Sequence, residues 1–224
     1  MIAGVQTDEE IRTAVVNELY WDGRVDPANI QVEVHDGRVV LRGTVPTYAV
    51  LGAAEEDARA IAGLQNVDNQ LTVKQPGHVL VPTDPEIGSN IMNTLRWHSQ
   101  VDASDISVAA DDGWVVLKGT VPAYWQKIKA QEAASALAGV KGVTNELAVV
   151  PLEKYEDRRI AEEIVAALER SPYVDAEIVD VKVHNGIVTL AGNVPDQRAY
   201  NAAQRAAKYT QGVVDVINEL LVEE

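Results

Sequence analysis

The sequence predicts an α+β protein built of three tandem α-β-β-α-β modules, each with two helices packed on a three-stranded mixed sheet. Three observations carry this expectation. The segments Leu41-Arg-Gly-Thr-Val-Pro-Thr-Tyr48 and Leu117-Lys-Gly-Thr-Val-Pro-Ala-Tyr124 nearly coincide, and Leu190-Ala-Gly-Asn-Val-Pro-Asp-Gln197 follows their pattern. An asparagine recurs 26 positions after each central glycine, pairing Gly43 with Asn69, Gly119 with Asn145 and Gly192 with Asn218. Ahead of every glycine stand apolar residues at helical spacing and then a two-residue turn signal. Self-similarity at fixed offsets, here 76 and then 73 residues, is the mark of a repeat architecture. The predicted modules span residues 1–75, 76–151 and 152–224. A module of that size buries only about 60% of its unfolded surface, so contacts between modules are expected.

Each copy opens with an amphipathic helix. Ile11, Val15 and Leu19 lie at four-residue spacing, as do Ile87, Ile91 and Leu95, and Ile160, Ile164 and Leu168. Thr7 with Glu10 and Thr83 with Glu86 have capping-box spacing; the third copy has none. Trp21 and Trp97, at equivalent places after this helix, are expected to cap the core.

A hairpin follows. In the first copy Ile30, Val32 and Val34 alternate with polar residues, Asp36-Gly37 makes the turn, and Val39 and Leu41 continue. Asp112-Gly113 and Asn185-Gly186 stand in the same place. Such pairs favour a two-residue turn in which both central residues have positive φ. That turn sets Val32 opposite Leu41, Val108 opposite Leu117 and Val181 opposite Leu190, all toward the helices. It also puts Gly43, Gly119 and Gly192 on the apolar face, where a missing side chain points to a helix packed closely or to a bulge.

An alanine-rich helix comes next, over roughly 47–62, 123–138 and 196–210. A last strand runs from Val67 to Val73, Val143 to Val149 and Val216 to Val222. The β-α-β crossover makes one parallel pair. Asn69, Asn145 and Asn218 share the parity of the apolar residues, so their amides need partners. They are expected to tie the strand to a neighbouring loop.

Net charge narrows the function. It is −15, with −6, −3 and −6 in the three copies, which repels phosphate polymers, so no nucleic-acid partner is expected. Cysteine is absent, and no apolar run approaches the roughly 20 residues that span a bilayer. Met1 to Gln6 lack a basic segment followed by an apolar core, which predicts a cytoplasmic protein, or a periplasmic one if a leader has been removed. His35, His78, His98 and His184 are scattered with no pair at metal-binding helical spacing. The acid pairs Asp111-Asp112 and Glu162-Glu163 are adjacent in sequence and do not converge on one face. No phosphate loop, nucleotide fingerprint or nucleophile elbow occurs. No catalytic, cofactor or metal site is predicted, and the protein is expected not to be an enzyme.

Two surfaces remain as candidates. At the start of the second copy's alanine-rich helix, Tyr124, Trp125, Lys127 and Lys129 join aromatic rings to cations, a composition suited to lipid contact. The open sheet face is polar in copy one, with Gln31, Glu33, Arg38 and Arg42. It is apolar in the others, through Trp114 and Val116, and through Ile187, Ile217 and Leu221. Apolar residues at positions that should face water predict cover by another module or by a second chain in a homo-oligomer.

The order of elements, the Leu-x-Gly-x-Val strand, the alanine-rich helix and the closing Val-x-Asn-x-Leu-x-Val resemble the BON family, named for bacterial osmotically inducible and nodulation proteins. The closing motif reads Val67, Asn69, Leu71, Val73, then Val143, Asn145, Leu147, Val149, then Val216, Asn218, Leu220, Val222. The resemblance covers nearly the whole chain and implies an α/β sandwich without catalytic residues. It also implies osmotic or envelope stress physiology, with phospholipid or membrane-surface binding in some members. The expected function is therefore that of a non-enzymatic stress protein with weak membrane contact, or alternatively a self-associating scaffold without lipid.

Overall fold

A computed structural model describes residues 7–61, 66–75, 77 and 80–222. Met1–Gln6, His78 and the predicted end of the first alanine-rich helix at residue 62 lie outside the described residues. The first copy contains α1 (Asp8–Trp21), β1 (Ile30–His35), β2 (Arg38–Val45), α2 (Tyr48–Arg59) and β3 (Asn66–Val73). The second contains α3 (Asp84–Trp97), β4 (Ile106–Asp111), β5 (Trp114–Val121), α4 (Tyr124–Ser135) and β6 (Gly142–Val149). The third contains α5 (Asp157–Glu169), β7 (Asp180–His184), β8 (Ile187–Val194), α6 (Gln197–Tyr209) and β9 (Asp215–Val222). Each copy forms its own three-stranded sheet, in the orders β1-β2-β3, β4-β5-β6 and β7-β8-β9. Three tandem helix-on-sheet modules of the α+β class are thus the architecture. The chain also divides into two compact units, one of them holding residues 1–91, 110–115 and 132–143, and so the whole first copy. The other holds residues 92–109, 116–131 and 144–224, and so the whole third copy.

In the first copy Ile11, Val15 and Leu19 turn one stripe of α1 into the core, and Thr7 with Glu10 closes a reciprocal capping box. The hairpin turns through Asp36 (φ 50°) and Gly37 (φ 75°), both left-handed as this turn requires. The register follows: Val32 faces Leu41, Val34 faces Val39, and Ile30 faces Gly43. β3 then lies parallel to β2, with Asn69 beside Leu41. In the third copy Val181 faces Leu190, Val183 faces Val188, and Asn218 lies beside Leu190 in the parallel strand. Its core gathers Ile160, Ile164 and Leu168 with Val188, Leu190 and the alanines of α6.

Three local expectations need correction. The recurring glycines have φ of +130°, +123° and +136°, and a Cβ on them would overlap the carbonyls of Asn29, Asp105 and Ile178. The close neighbour is therefore the main chain entering the first strand of each copy, not a helix. The second helix is shorter than its alanines suggest, ending at Arg59 and Ser135. In the second copy the chain must turn at Gly139, whose positive φ lets it pass Ile87 and Pro82 without a side chain.

The tryptophans do not cap the core. Trp21 is 80% and Trp97 88% exposed, while Val25, Val101 and Val174 close that end of their copies. Helix phase is the reason, because a residue two places beyond Leu19 is turned roughly 200° from it.

Candidate functional site

The lipid-contact cluster sits on α4. Tyr124 at its start is half-buried and packs against the core of the third copy. Burial, then the charge of Asp215 and a hydrogen bond with it, push the Tyr124 hydroxyl above the ordinary phenol value. Trp125, Lys127 and Lys129 are also half-buried. The Lys127 carbonyl accepts from Asn145 Nδ2 at 2.8 Å, and neighbouring Gln126 accepts from the Asp102 amide at 2.8 Å. The four residues share the first turns of α4 without forming one face, and one ring is engaged by another module while none stands free in water.

The open sheet faces of the second and third copies are apolar and partly exposed. Trp114 lies across Gly142 on the adjacent strand, close enough that any Cβ there would overlap the indole, and is still 59% exposed. Val116 is half-buried. In the third copy Ile187, Ile217 and Leu221 are 38%, 47% and 67% exposed. The first copy's face is a polar lattice: Arg38 pairs with Asp68 at 3.2 Å, and Arg42 reaches Glu33 at 2.7 Å and Gln70 at 3.0 Å.

Exposed aromatic residues at or just after the end of the first helix of each copy were not anticipated from sequence. Trp21 and Trp97 end equivalent helices in solvent, Tyr20 stacks edge-on with Trp21 at 5.5 Å, and Tyr173 is exposed in the turn after α5. The signal was visible in the repeat, but reading it needed the phase of the helix rather than residue type.

The structural residues form two recurring ties. Asn69 Nδ2 donates to the Leu51 carbonyl at 3.1 Å and to Glu55 at 3.2 Å, and its Oδ1 accepts from the Leu71 amide. Asn145 repeats this with Lys127, Gln131 and Leu147. The tie runs from strand to second helix rather than to a loop. Asn218 Oδ1 accepts from Leu220, but its buried Nδ2 has no partner. The second tie escaped sequence reading: the carboxylates of Asp8, Asp84 and Asp157 each accept both amides of the hairpin turn, at 2.8–3.0 Å. These amides hold Asp157 below the usual carboxylate range. A constant spacing of 35 residues from each aspartate to Gly43, Gly119 and Gly192 was the available signal.

The remaining polar groups do not converge. His35 and His184 are exposed, and His98 is half-buried with a buried Nδ1 that lacks a partner. Among the described residues, no group of three or more His, Cys, Asp or Glu is placed to hold a metal ion. Glu162 and Glu163 pair along α5 with Arg158 and Arg159, and Asp112 pairs with Lys141 at 2.8 Å. A groove of about 340 Å³ in the third copy is lined by Lys154, Tyr155, Asp157 and Asn185. Two of its polar groups are engaged, Asp157 by the hairpin and the Tyr155 hydroxyl by Gln211.

The model of the BON domain family matches residues 7–75, 83–151 and 156–224. The chain is similar to the osmotically-inducible protein Y of Escherichia coli (strain K12), 30% identical over 143 residues, 61% of this chain and 71% of that protein. It is 29% identical over 151 residues to a 21 kDa hemolysin of Actinobacillus pleuropneumoniae, covering 66% and 76%. It is 29% identical over 143 residues to the outer membrane lipoprotein DolP of Haemophilus influenzae, covering 62% and 74%.

Proposed function

The chain belongs to the BON domain family, and from that premise we propose that it is a non-enzymatic protein of osmotic or envelope stress that binds phospholipid membrane surfaces. The observation that supports contact with lipid is the exposure of Trp21 and Trp97 at equivalent helix ends. An indole has an apolar body and a polar N–H, which suits the boundary between headgroups and acyl chains. A chain of net charge −15 gains nothing from anionic headgroups at long range. Binding therefore leans on aromatic insertion and varies little with salt. Among the relatives, a hemolysin and an outer membrane lipoprotein bear names that concern membranes, and a third is osmotically inducible.

Tyr124, Trp125, Lys127 and Lys129 remain the second proposed contact, weakened because Tyr124 is engaged by the third copy. We put the protein in the cell envelope rather than in the cytoplasm expected from its first residues, on the strength of the lipoprotein relative. Among the described residues no helix is long and apolar enough to cross a membrane.

Vesicle flotation tests the reading. Trp21→Ala with Trp97→Ala is expected to weaken binding roughly tenfold, the loss of about 1.4 kcal/mol of partial indole burial. Trp125→Ala with Lys127→Glu and Lys129→Glu is expected to weaken it less. Equal binding by wild type and both variants, or none by any, discards lipid contact at these residues.

A second reading, self-association through the open sheet faces, is favoured by the exposure of Trp114, Ile187, Ile217 and Leu221.

A further inference from the structure

Where α1 ends against α2, the first copy brings two carboxyl groups together. Asp57 of α2 is 9% exposed, and its Oδ2 is buried without a hydrogen-bond partner. Asp22, the cap residue of α1, is bound by Arg24 at 2.7 Å. Arg24 reaches Asp57 only at 4.0 Å and Glu56 at 3.8 Å, from a side chain 61% in solvent. The charged groups that face Asp57 are thus Glu18 and Asp22 from α1 and its cap, Arg24 from the following turn, and Glu56 beside it on α2. One solvated guanidinium shared among Asp22, Glu56 and Asp57 does not compensate a buried charge. A carboxyl in that position takes up a proton instead.

The repeat shows that the fold does not require this acid. Counting 14 residues from Gly43, Gly119 and Gly192 gives Asp57, Ala133 and Ala206. By the same alignment Asp22 falls opposite His98 and Ser171. A methyl group suffices at this position in two of three copies, so the acid pair is particular to the first.

We propose that Asp22 and Asp57 form a proton-operated latch between α1 and α2 of the first copy, closed while the pair holds a proton and loosened when both carboxyls are ionised. The latch secures the helix end that carries the exposed Tyr20 and Trp21.

The direction of the pH response follows from the two groups. The hydrogen bond from Arg24 holds Asp22 below the usual carboxylate range, so Asp22 stays ionised and accepts. Burial first, and the charge of Asp22 second, push Asp57 up to about 7 from an ordinary 3.8. The folded-state value lies above the unfolded one. The protonated acid therefore contributes stability that is fully present below about pH 4, declines as pH rises, and is lost through about pH 7.

The test uses the full chain without lipid. In a carboxyl ¹³C titration Asp57 is expected to titrate near neutrality, well above the exposed aspartates. Hydrogen exchange of α1 and α2 amides, corrected for intrinsic rates, should show protection falling with pH in the wild type. Relative to Asp57→Asn, the fall approaches roughly tenfold per pH unit, the value for one linked proton. Asp57→Ala, which copies the residue of the other two modules, is expected to match Asp57→Asn. An Asp57 that titrates with the exposed aspartates overturns the latch, and so does one pH profile common to all three proteins. Should a variant fail to fold, the wild-type titration decides alone.

Discussion

Asn69, Asn145 and Asn218 hold the same position in three copies and are not equally satisfied. The first two donate to a main-chain carbonyl and a side chain on the second helix; the third leaves its Nδ2 without a partner. A net hydrogen bond contributes about 0.5–1.5 kcal/mol, and a buried group left unpaired costs about 1–3. Asn145→Ala is therefore expected to lower the stability of its copy by roughly 1–3 kcal/mol, and Asn218→Ala by about 1 kcal/mol less. Hydrogen exchange resolved to β6 and β9 measures each copy separately, as a three-module chain need not unfold in one step. Equal losses at the two positions would show that the helix tie carries no energy. At this scale the sequence showed that the asparagines sit among apolar neighbours, because strand parity is a matter of counting. It did not show their partner, since the helix acceptors at Leu51 and Lys127 are fixed only once α2 and α4 are docked. Asp57 was illegible for a similar reason. On the sequence it is one acid in Glu55-Glu56-Asp57, indistinguishable from a solvated helix face, and only the approach of α1 buries it.

Elements were legible where local chemistry alone decides them. The Asp-Gly and Asn-Gly turns and the period-two alternation specify one hairpin register, and a slip of one residue would put Val32 and Leu41 in water. Helix ends were less legible, because alanine continues a helix without saying where it stops. The three first helices show what capping adds. α1 begins at Thr7 with a full capping box, and in α3 the Glu86 carboxylate reaches back to Thr83. α5 begins at Glu156, whose backbone is extended as a cap should be but whose side chain makes no capping bond. Aspartate carries the same charge on a stem one methylene shorter, the length that lets a cap accept from the amides of the first turn. Glu156→Asp is expected to stabilise the third copy by about 0.5–1 kcal/mol. Thermal unfolding followed through β7–β9 exchange reads it, and no gain would mean that the first turn of α5 is already satisfied by water.

At the scale of the whole molecule, the question is what an apolar and partly exposed sheet face does. Trp114, Ile187, Ile217 and Leu221 are between 38% and 67% exposed, so about half of their burial remains to be gained. Fully burying a large apolar side chain is worth roughly 1.5–3 kcal/mol, which leaves about 1 kcal/mol for each of the four. Two chains contributing these residues to a shared interface would gain on the order of 8 kcal/mol. Association itself costs an estimated 4–15 kcal/mol in lost freedom and ordering. The difference allows self-association no tighter than about millimolar from these side chains alone. Each sheet has only three strands, so its two outer strands are edges whose main-chain groups can strengthen pairing between chains. A weak, concentration-dependent assembly is thus expected, not an obligate dimer. Sedimentation from micromolar to near-millimolar protein should show a mass rising above the 24.3 kDa of one chain. Trp114→Lys with Leu221→Lys places a charge on each face and should hold the mass at that of the monomer, or lower the melting temperature where the faces are covered. A double variant that matches wild type in both mass and melting temperature would leave the open faces with no role in assembly.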